Sequence, residues 1–205
     1  VPFWDLPLVE NIKIDGQFED WPSGTWLPDW LLATRGTAFP VRLALAYNPA
    51  GVFLAVHVKN HNGAVTDPRA FWAQTCVELF IDTASDARAR TSYQATDHQF
   101  WFCPLLDTGK VYAGRWKRGA EIPATIYDLP DVRGVSRKTE QGWLMEVFLP
   151  GSRLQGWRPE PGRTLRANIN LTLPNPQGKT EIYWPAAKED GAPDRPELWG
   201  LLRLQ

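Results

Sequence analysis

Trp72 stands just ahead of an alternating run, Cys76-Val77-Glu78-Leu79-Phe80-Ile81-Asp82. A strand throws successive side chains to opposite faces, so Val77, Leu79 and Ile81 share one face, while Cys76, Glu78 and Phe80 share the other. Residues 96–103 form a second run of the same kind. Pairing the two antiparallel, with Leu79 opposite Phe100, sets Val77 against Phe102 and Ile81 against His98. The other face then holds Glu78 opposite Trp101, Phe80 opposite Gln99 and Cys76 opposite Cys103, all within contact range. A later run alternates Leu165, Ala167, Ile169, Leu171 and Leu173 with Arg166, Asn168, Asn170 and Thr172. Its apolar members take the core, so Asn168 and Asn170 fall on the face of Glu78. One sheet face thus carries Trp72 at its rim beside Trp101, Glu78, Gln99, Asn168 and Asn170. Tryptophan presents a flat apolar surface and a single N–H donor. Such a plate, ringed by carboxylate and amide groups, suits a sugar: the indole stacks on the ring's C–H face and the polar groups bond its hydroxyls.

Each of these residues also has a structural reading. Trp72 caps the edge of a sandwich, Glu78 is a solvated or salt-bridged strand residue, and Asn168 and Asn170 are polar outer-face residues. Trp143 and Trp199 read as core.

The elements that must position them are strands. Val41, Leu43, Leu45 and Tyr47 alternate with small or polar residues, Asn48-Pro49-Ala50-Gly51 turns, and Val52, Leu54, Val56 and Val58 alternate again, which is a hairpin pattern. Residues 111–116, 132–138, 143–149 and 201–204 complete the set. Eighteen prolines and sixteen glycines punctuate these runs, and no stretch of helical period intervenes. The pattern predicts an all-β fold, an antiparallel β-sandwich forming a single domain over residues 1–205.

A net charge of −1 with no run of one sign argues against nucleic acid and anionic membranes as partners. No apolar stretch is long enough for membrane insertion as a helix. Cys76 and Cys103 are the only cysteines, in neither a CxxC nor a Cys/His cluster, which argues against zinc. They read equally as a cross-strand disulfide or as two thiols. No cofactor is expected. Asp15, Glu19 and Asp20 gather oxygens that could hold a structural calcium, although a turn closed by Asx hydrogen bonds accounts for them as well.

Several segments resemble one family in consistent order. Ile14-Asp15-Gly16 followed by Asp20-Trp21 is similar to the opening of family 9 carbohydrate-binding modules and their DOMON-like relatives. Trp72 to Asp82 resembles that family's W-x-x-D-x-V-E-x-F-I-D segment, with Thr75 where an acid is usual. Asp97-His98-Gln99-Phe100 resembles its D-x-Q-F strand, and Gly142 to Pro150 its G-W-x-x-E-x-x-I-P hairpin. Trp199 to Leu204 resembles its closing strand. The resemblance implies a jelly-roll-like sandwich and a non-catalytic module that holds a terminal sugar between two tryptophans. Trp72 matches the first, Glu78 an acidic partner, and Asn168 and Asn170 polar positions. The loop that should bring the second tryptophan, 186–194, has no aromatic residue, which leaves Trp101 or Trp184 to supply a plate from elsewhere. Otherwise the site has decayed and the sandwich serves as an interaction module. The resemblance further implies an exported, extracellular or periplasmic protein, linked to a catalytic or surface-anchoring domain.

Two other classes compete. A DOMON-like haem cytochrome would need axial ligands from Met145, His57, His61 or His98, but Met145 shares a face with Trp143 and Val147 and reads as core. A glycosidase would need two facing carboxylates, and Glu78 and Glu146 are the obvious pair. The residues favour a binding module over an enzyme.

Overall fold

The computed structural model describes residues 1–84 and 91–205. The described residues form twelve strands: β1 (Phe3–Leu6), β2 (Ala33–Arg35), β3 (Val41–Asn48), β4 (Gly51–Lys59), β5 (Cys76–Asp82), β6 (Asp97–Leu105), β7 (Lys110–Arg115), β8 (Arg133–Lys138), β9 (Gly142–Pro150), β10 (Thr164–Asn175), β11 (Gly178–Trp184) and β12 (Gly200–Leu204). Among the described residues the only helices are short 3₁₀ turns, and none is long and apolar enough to cross a membrane. The strands run β1-β12-β10-β5-β6-β7-β8-β9-β4-β3, with β11 and β2 branching from β10. A parallel bridge from Leu8 to Tyr47 brings the two ends together, so the sheet folds into a nearly closed sandwich.

The expected pairings are present. The β3–β4 hairpin sets Val41 against Val58 and Tyr47 against Val52. β5 and β6 pair antiparallel with Leu79 opposite Phe100 and Glu78 opposite Trp101, and the connection expected over 83–96 lies partly outside the described residues. Two features differ from expectation. β1 runs parallel to β12, so the sheet is mixed. β1, β2 and β11 also go beyond the strands read from alternation. β1 and β2 are too short to show a period, and β11 mixes Thr180, Glu181 and Tyr183 into its run.

The main core lies between the two halves of the sheet. Val77, Leu79 and Ile81 meet Phe100, Phe102, Trp143, Met145, Val147, Ile169 and Leu171 there. Burying a set this large removes much apolar surface from water, the dominant favourable term in folding. Both outer faces are also covered in part. On the β3–β4–β9 side, Ala44, Ala46 and Ala55 leave room for Trp21, Ile12 and Val9 of the N-terminal segment. Glu146 fastens that cover. Its fully buried carboxylate accepts hydrogen bonds from Asp15 N (3.0 Å), Gly16 N (2.5 Å) and Trp21 Nε1 (2.6 Å). Gly16 takes φ of 82°, a conformation glycine adopts at no steric cost. The Ile14-Asp15-Gly16, Asp20-Trp21 and Glu146 segments therefore form one structural lock, although they lie far apart in sequence. Burial raises the Glu146 carboxyl above its ordinary value, against the opposing pull of Trp21 and the two backbone donors.

Candidate functional site

The face of β5, β6 and β10 that carries Glu78 is not open. The segment 185–199 and the 3₁₀ turn Pro68–Ala73 lie over it. Asp67 caps that turn by accepting from Arg69 N at 3.0 Å, and Pro68 opens it where no N–H is needed. The turn sets Phe71 inward and Trp72 outward. Phe71 is buried and stacks on Trp101, with centroids 4.4 Å apart at 17°. Trp72 stays 51% exposed.

Trp101 is therefore not a surface plate: it is fully buried, and its Nε1 donates to Pro68 O at 3.0 Å. Its cross-strand neighbour is Gly114, where a Cβ would come within 2.1 Å of the indole. Trp184 is not a plate either, because its ring is buried against Gly200. Asn168 and Asn170 are completely buried. The Asn168 amide donates to Ala186 O and accepts from Ala186 N, both at 3.0 Å, as a strand partner would, and also donates to Asn170 Oδ1 at 2.7 Å. These asparagines tie down segment 185–199. The Nδ2 of Asn170 and the Oγ1 of Thr172 have no protein partner.

Glu78 and Gln99 are buried in a polar chain. Gln99 Nε2 donates to Glu78 Oε2 at 2.8 Å, and Lys188 Nζ donates to Glu78 Oε1. Arg118 Nε donates to Gln99 Oε1 at 2.6 Å and its Nη1 pairs with Asp194 at 2.8 Å. The Arg118 guanidinium also lies 5.1 Å over the Tyr93 ring. Burial alone would lower the Lys188 ammonium, but the adjacent Glu78 charge and hydrogen bond outweigh it and hold the group above its ordinary value. Burial pushes the Tyr93 hydroxyl up in turn. Of the two readings of Glu78, the salt-bridged one describes its contacts. Lys188 and Arg118 keep a small exposed part, with side chains 13% accessible, while Asp194 is well exposed.

On this side of the sheet the exposed Trp72 packs against the half-buried Trp116, a residue the alternation pattern did not single out; elsewhere on the surface Trp30 is 80% exposed. Trp116 follows β7, where Trp116 N bonds Gln99 O at 2.9 Å. The two indoles meet edge to face, with centroids 5.9 Å apart at 68°. Trp116 also packs on Phe71 and Trp101, and Tyr127, 39% exposed, extends the surface beside Trp101. The one signal for Trp116 in the sequence was its place at the end of the expected 111–116 strand.

The remaining candidates fall elsewhere. Cys76 and Cys103 are buried free thiols, and burial first, then the neighbouring Cys103, pushes the Cys76 thiol well up. Met145 is packed in the main core, whereas His57 projects from the opposite face of β4 to Val56, the Met145 partner. Glu78 and Glu146 belong to different halves of the sheet and are engaged in separate bonds, Glu78 with Lys188 and Gln99 and Glu146 with three N–H groups. Asp15 closes an Asx turn on Gln17 N, and Asp20 accepts from Lys13 N. Among the described residues no group of three or more His, Cys, Asp or Glu side chains is placed to hold a metal.

No protein-family model and no curated protein matches the chain. Solved structures do. A family 9 carbohydrate-binding module from Caldicellulosiruptor kristjanssonii, solved with glucose, superposes with a TM-score of 0.70 at 17% identity, covering 99% of this chain and 95% of that one. The same module with cellotriose gives the same score and identity over 99% and 93%. A structure from Bacteroides uniformis, described as a candidate carbohydrate-binding protein, gives 0.59 at 14% identity over 100% and 99%. The chain has the fold of family 9 carbohydrate-binding modules.

Proposed function

We propose that this protein is a non-catalytic carbohydrate-binding module that takes a neutral glycan on the open face of Trp72. The observation that carries the reading is the exposed Trp72 with the half-buried Trp116 beside it, packed from beneath by Phe71 and Trp101 on the sheet face that also holds Glu78 and Gln99. A sugar clamped between two rings needs them roughly parallel and about 7–8 Å apart, two carbon contact distances. Rings 5.9 Å apart at 68° leave no such slot. The glycan therefore lies on Trp72, with Trp116 as a side wall. Lys188, Arg118 and Asp194 are the polar groups of this face nearest water, and Glu78, Gln99, Asn168 and Asn170 position them from behind. The glucose and cellotriose bound by the structural neighbours agree with a neutral β-glucan as ligand. An exported protein, linked to a catalytic or anchoring domain, is the matching setting.

A second reading is that the sandwich has lost sugar binding and keeps the aromatic corner for another partner. The engagement of Glu78 by Lys188 favours it.

Titration with glucose and cellotriose, followed by tryptophan emission, separates the two. A single open platform gives modest affinity, about −8 to −4 kcal/mol, with little dependence on salt. Trp72→Ala abolishes binding and shifts stability by less than about 1 kcal/mol, since a half-exposed ring contributes little to the core. Binding unchanged in Trp72→Ala refutes the site. No binding by wild type to either sugar supports the second reading.

A further inference from the structure

The outer face of the β3–β4–β9–β8 half is covered by the N-terminal segment at one end only. At the other end it carries four basic side chains. Arg42 on β3 stands directly opposite His57 on β4. His57 pairs with Leu144 on β9, which pairs with Arg137 on β8, and Lys59 follows His57 by two residues on the same face. Among the described residues no carboxylate forms an ion pair with Arg42, Lys59 or Arg137. Arg137 instead donates to Gly16 O at 2.6 Å. The Arg42 guanidinium is held 4.0 Å over the Trp26 ring. The Nε2 atom of His57 is shielded from water and has no protein partner.

Arg42, Lys59 and His57 border a cavity of about 370 Å³ between this half-sheet and the β2–β11 pair. Arg42, His57 and Lys59 form its polar wall, and Leu32, Phe39, Pro40, Val41 and Ile182 its apolar one. Thr34 lines it too, and Asp29 is its one carboxylate. A hollow of this size matches a monosaccharide-sized ligand. We propose that it binds a small ligand through an oxyanion, a carboxylate or phosphate, seated among Arg42, Lys59 and His57, with the ligand body on Phe39 and Leu32. Guanidinium and ammonium groups recognise oxyanions by charge-assisted hydrogen bonds. The site lies on the half-sheet opposite Trp72 and does not depend on the aromatic corner.

His57 is a built-in reporter. Burial lowers its pKa, and Lys59, Arg42 and Arg137 lower it further. Asp29 on one side, and Glu19 and Glu140 in the hollow on the other, are the acids facing it. A bound oxyanion offsets the cations and raises the His57 pKa.

The test follows the His57 ring protons by NMR, assigned with His57→Gln, during titration with glucuronate, inorganic phosphate and glucose in low-chloride buffer. The expected result is a saturable shift with glucuronate, phosphate or both, accompanied by an upward move of the His57 pKa. Binding of both ions assigns recognition to the oxyanion; glucuronate alone assigns part of it to the apolar wall. Arg42→Met and Lys59→Met, checked for folding by circular dichroism, each weaken binding roughly tenfold, the loss of one charge-assisted bond, while Trp72→Ala leaves it unchanged. The proposal fails if neither anion gives a saturable shift, if glucose gives the same shift, or if Arg42→Met/Lys59→Met responds as wild type does.

Discussion

His98 makes the protein acid-sensitive by an amount that follows from its surroundings. It sits at the core-facing end of β6, 1% exposed, with its ring 5.7 Å from Phe100. Its Nε2 accepts from Gln155 N at 3.1 Å, so the proton of the neutral ring belongs on Nδ1, which is buried without a partner. Burial, and secondarily the Arg115 charge, lower its pKa to about 4. The unfolded chain binds this proton near the ordinary value of about 6.5 and the folded protein only near about 4, so the stabilisation is fully present above the upper value and drains away as pH falls to the lower. The linkage relation gives a loss of about 2 kcal/mol by about pH 5 and about 3 kcal/mol by about pH 4. His57 and His61 are also lowered by burial and act in the same direction, so the wild-type slope alone does not isolate His98. His98→Leu does. It removes the titration and leaves Gln155 N unpaired, a cost of about 1–3 kcal/mol that does not vary with pH. Urea unfolding of both proteins from neutral to acid pH should give curves that converge by about 3 kcal/mol. Curves that stay parallel across that range would falsify a buried, neutral His98.

Other expectations concern the covered faces. Glu78 is almost fully buried, so Lys188→Met, which strands its carboxylate, should cost about 3–5 kcal/mol, and adding Glu78→Gln should restore much of it. Equal losses in the single and double variants would show that the pair does not interact. Because the Lys188 pKa is raised on folding, its contribution is present below the ordinary lysine range and is lost as alkali carries pH through the folded value. Trp101→Ala should destabilise by about 3–5 kcal/mol in the same urea assay, as large buried aromatics do; a change as small as that expected of Trp72→Ala would place Trp101 at the surface. Gly114→Ala drives a methyl into the Trp101 ring and should cost about 1–3 kcal/mol or more, visible as a lowered thermal midpoint. A neutral result there would mean that the ring is free to move.

Much of the architecture was legible in the chain because a strand has a period of two. Alternation through Val77, Leu79 and Ile81, set against Phe100 and Phe102, determined the face that meets the core and excluded a slip of one residue, which would have exposed all of them; it did not distinguish registers two residues apart. The β3–β4 hairpin followed in the same way from its turn and its valines. Trp72 was also readable as a rim residue, because it precedes the strand and lies outside its alternation. What covers a face is a different matter. Alternation says that Glu78, Gln99, Asn168 and Asn170 point away from the core, but it carries no information on whether distant segments lie over them. Only the tertiary structure brings Lys188 to Glu78, Ala186 to Asn168 and Arg118 to Gln99, and these contacts turn an expected open binding face into a buried polar layer. The same long-range packing seats Phe71 on Trp101 and sets the half-buried Trp116 beside the exposed Trp72. Local sequence sets the direction in which a side chain leaves its strand, whereas its exposure depends on which remote groups satisfy its hydrogen bonds, and that is decided only when the whole chain packs.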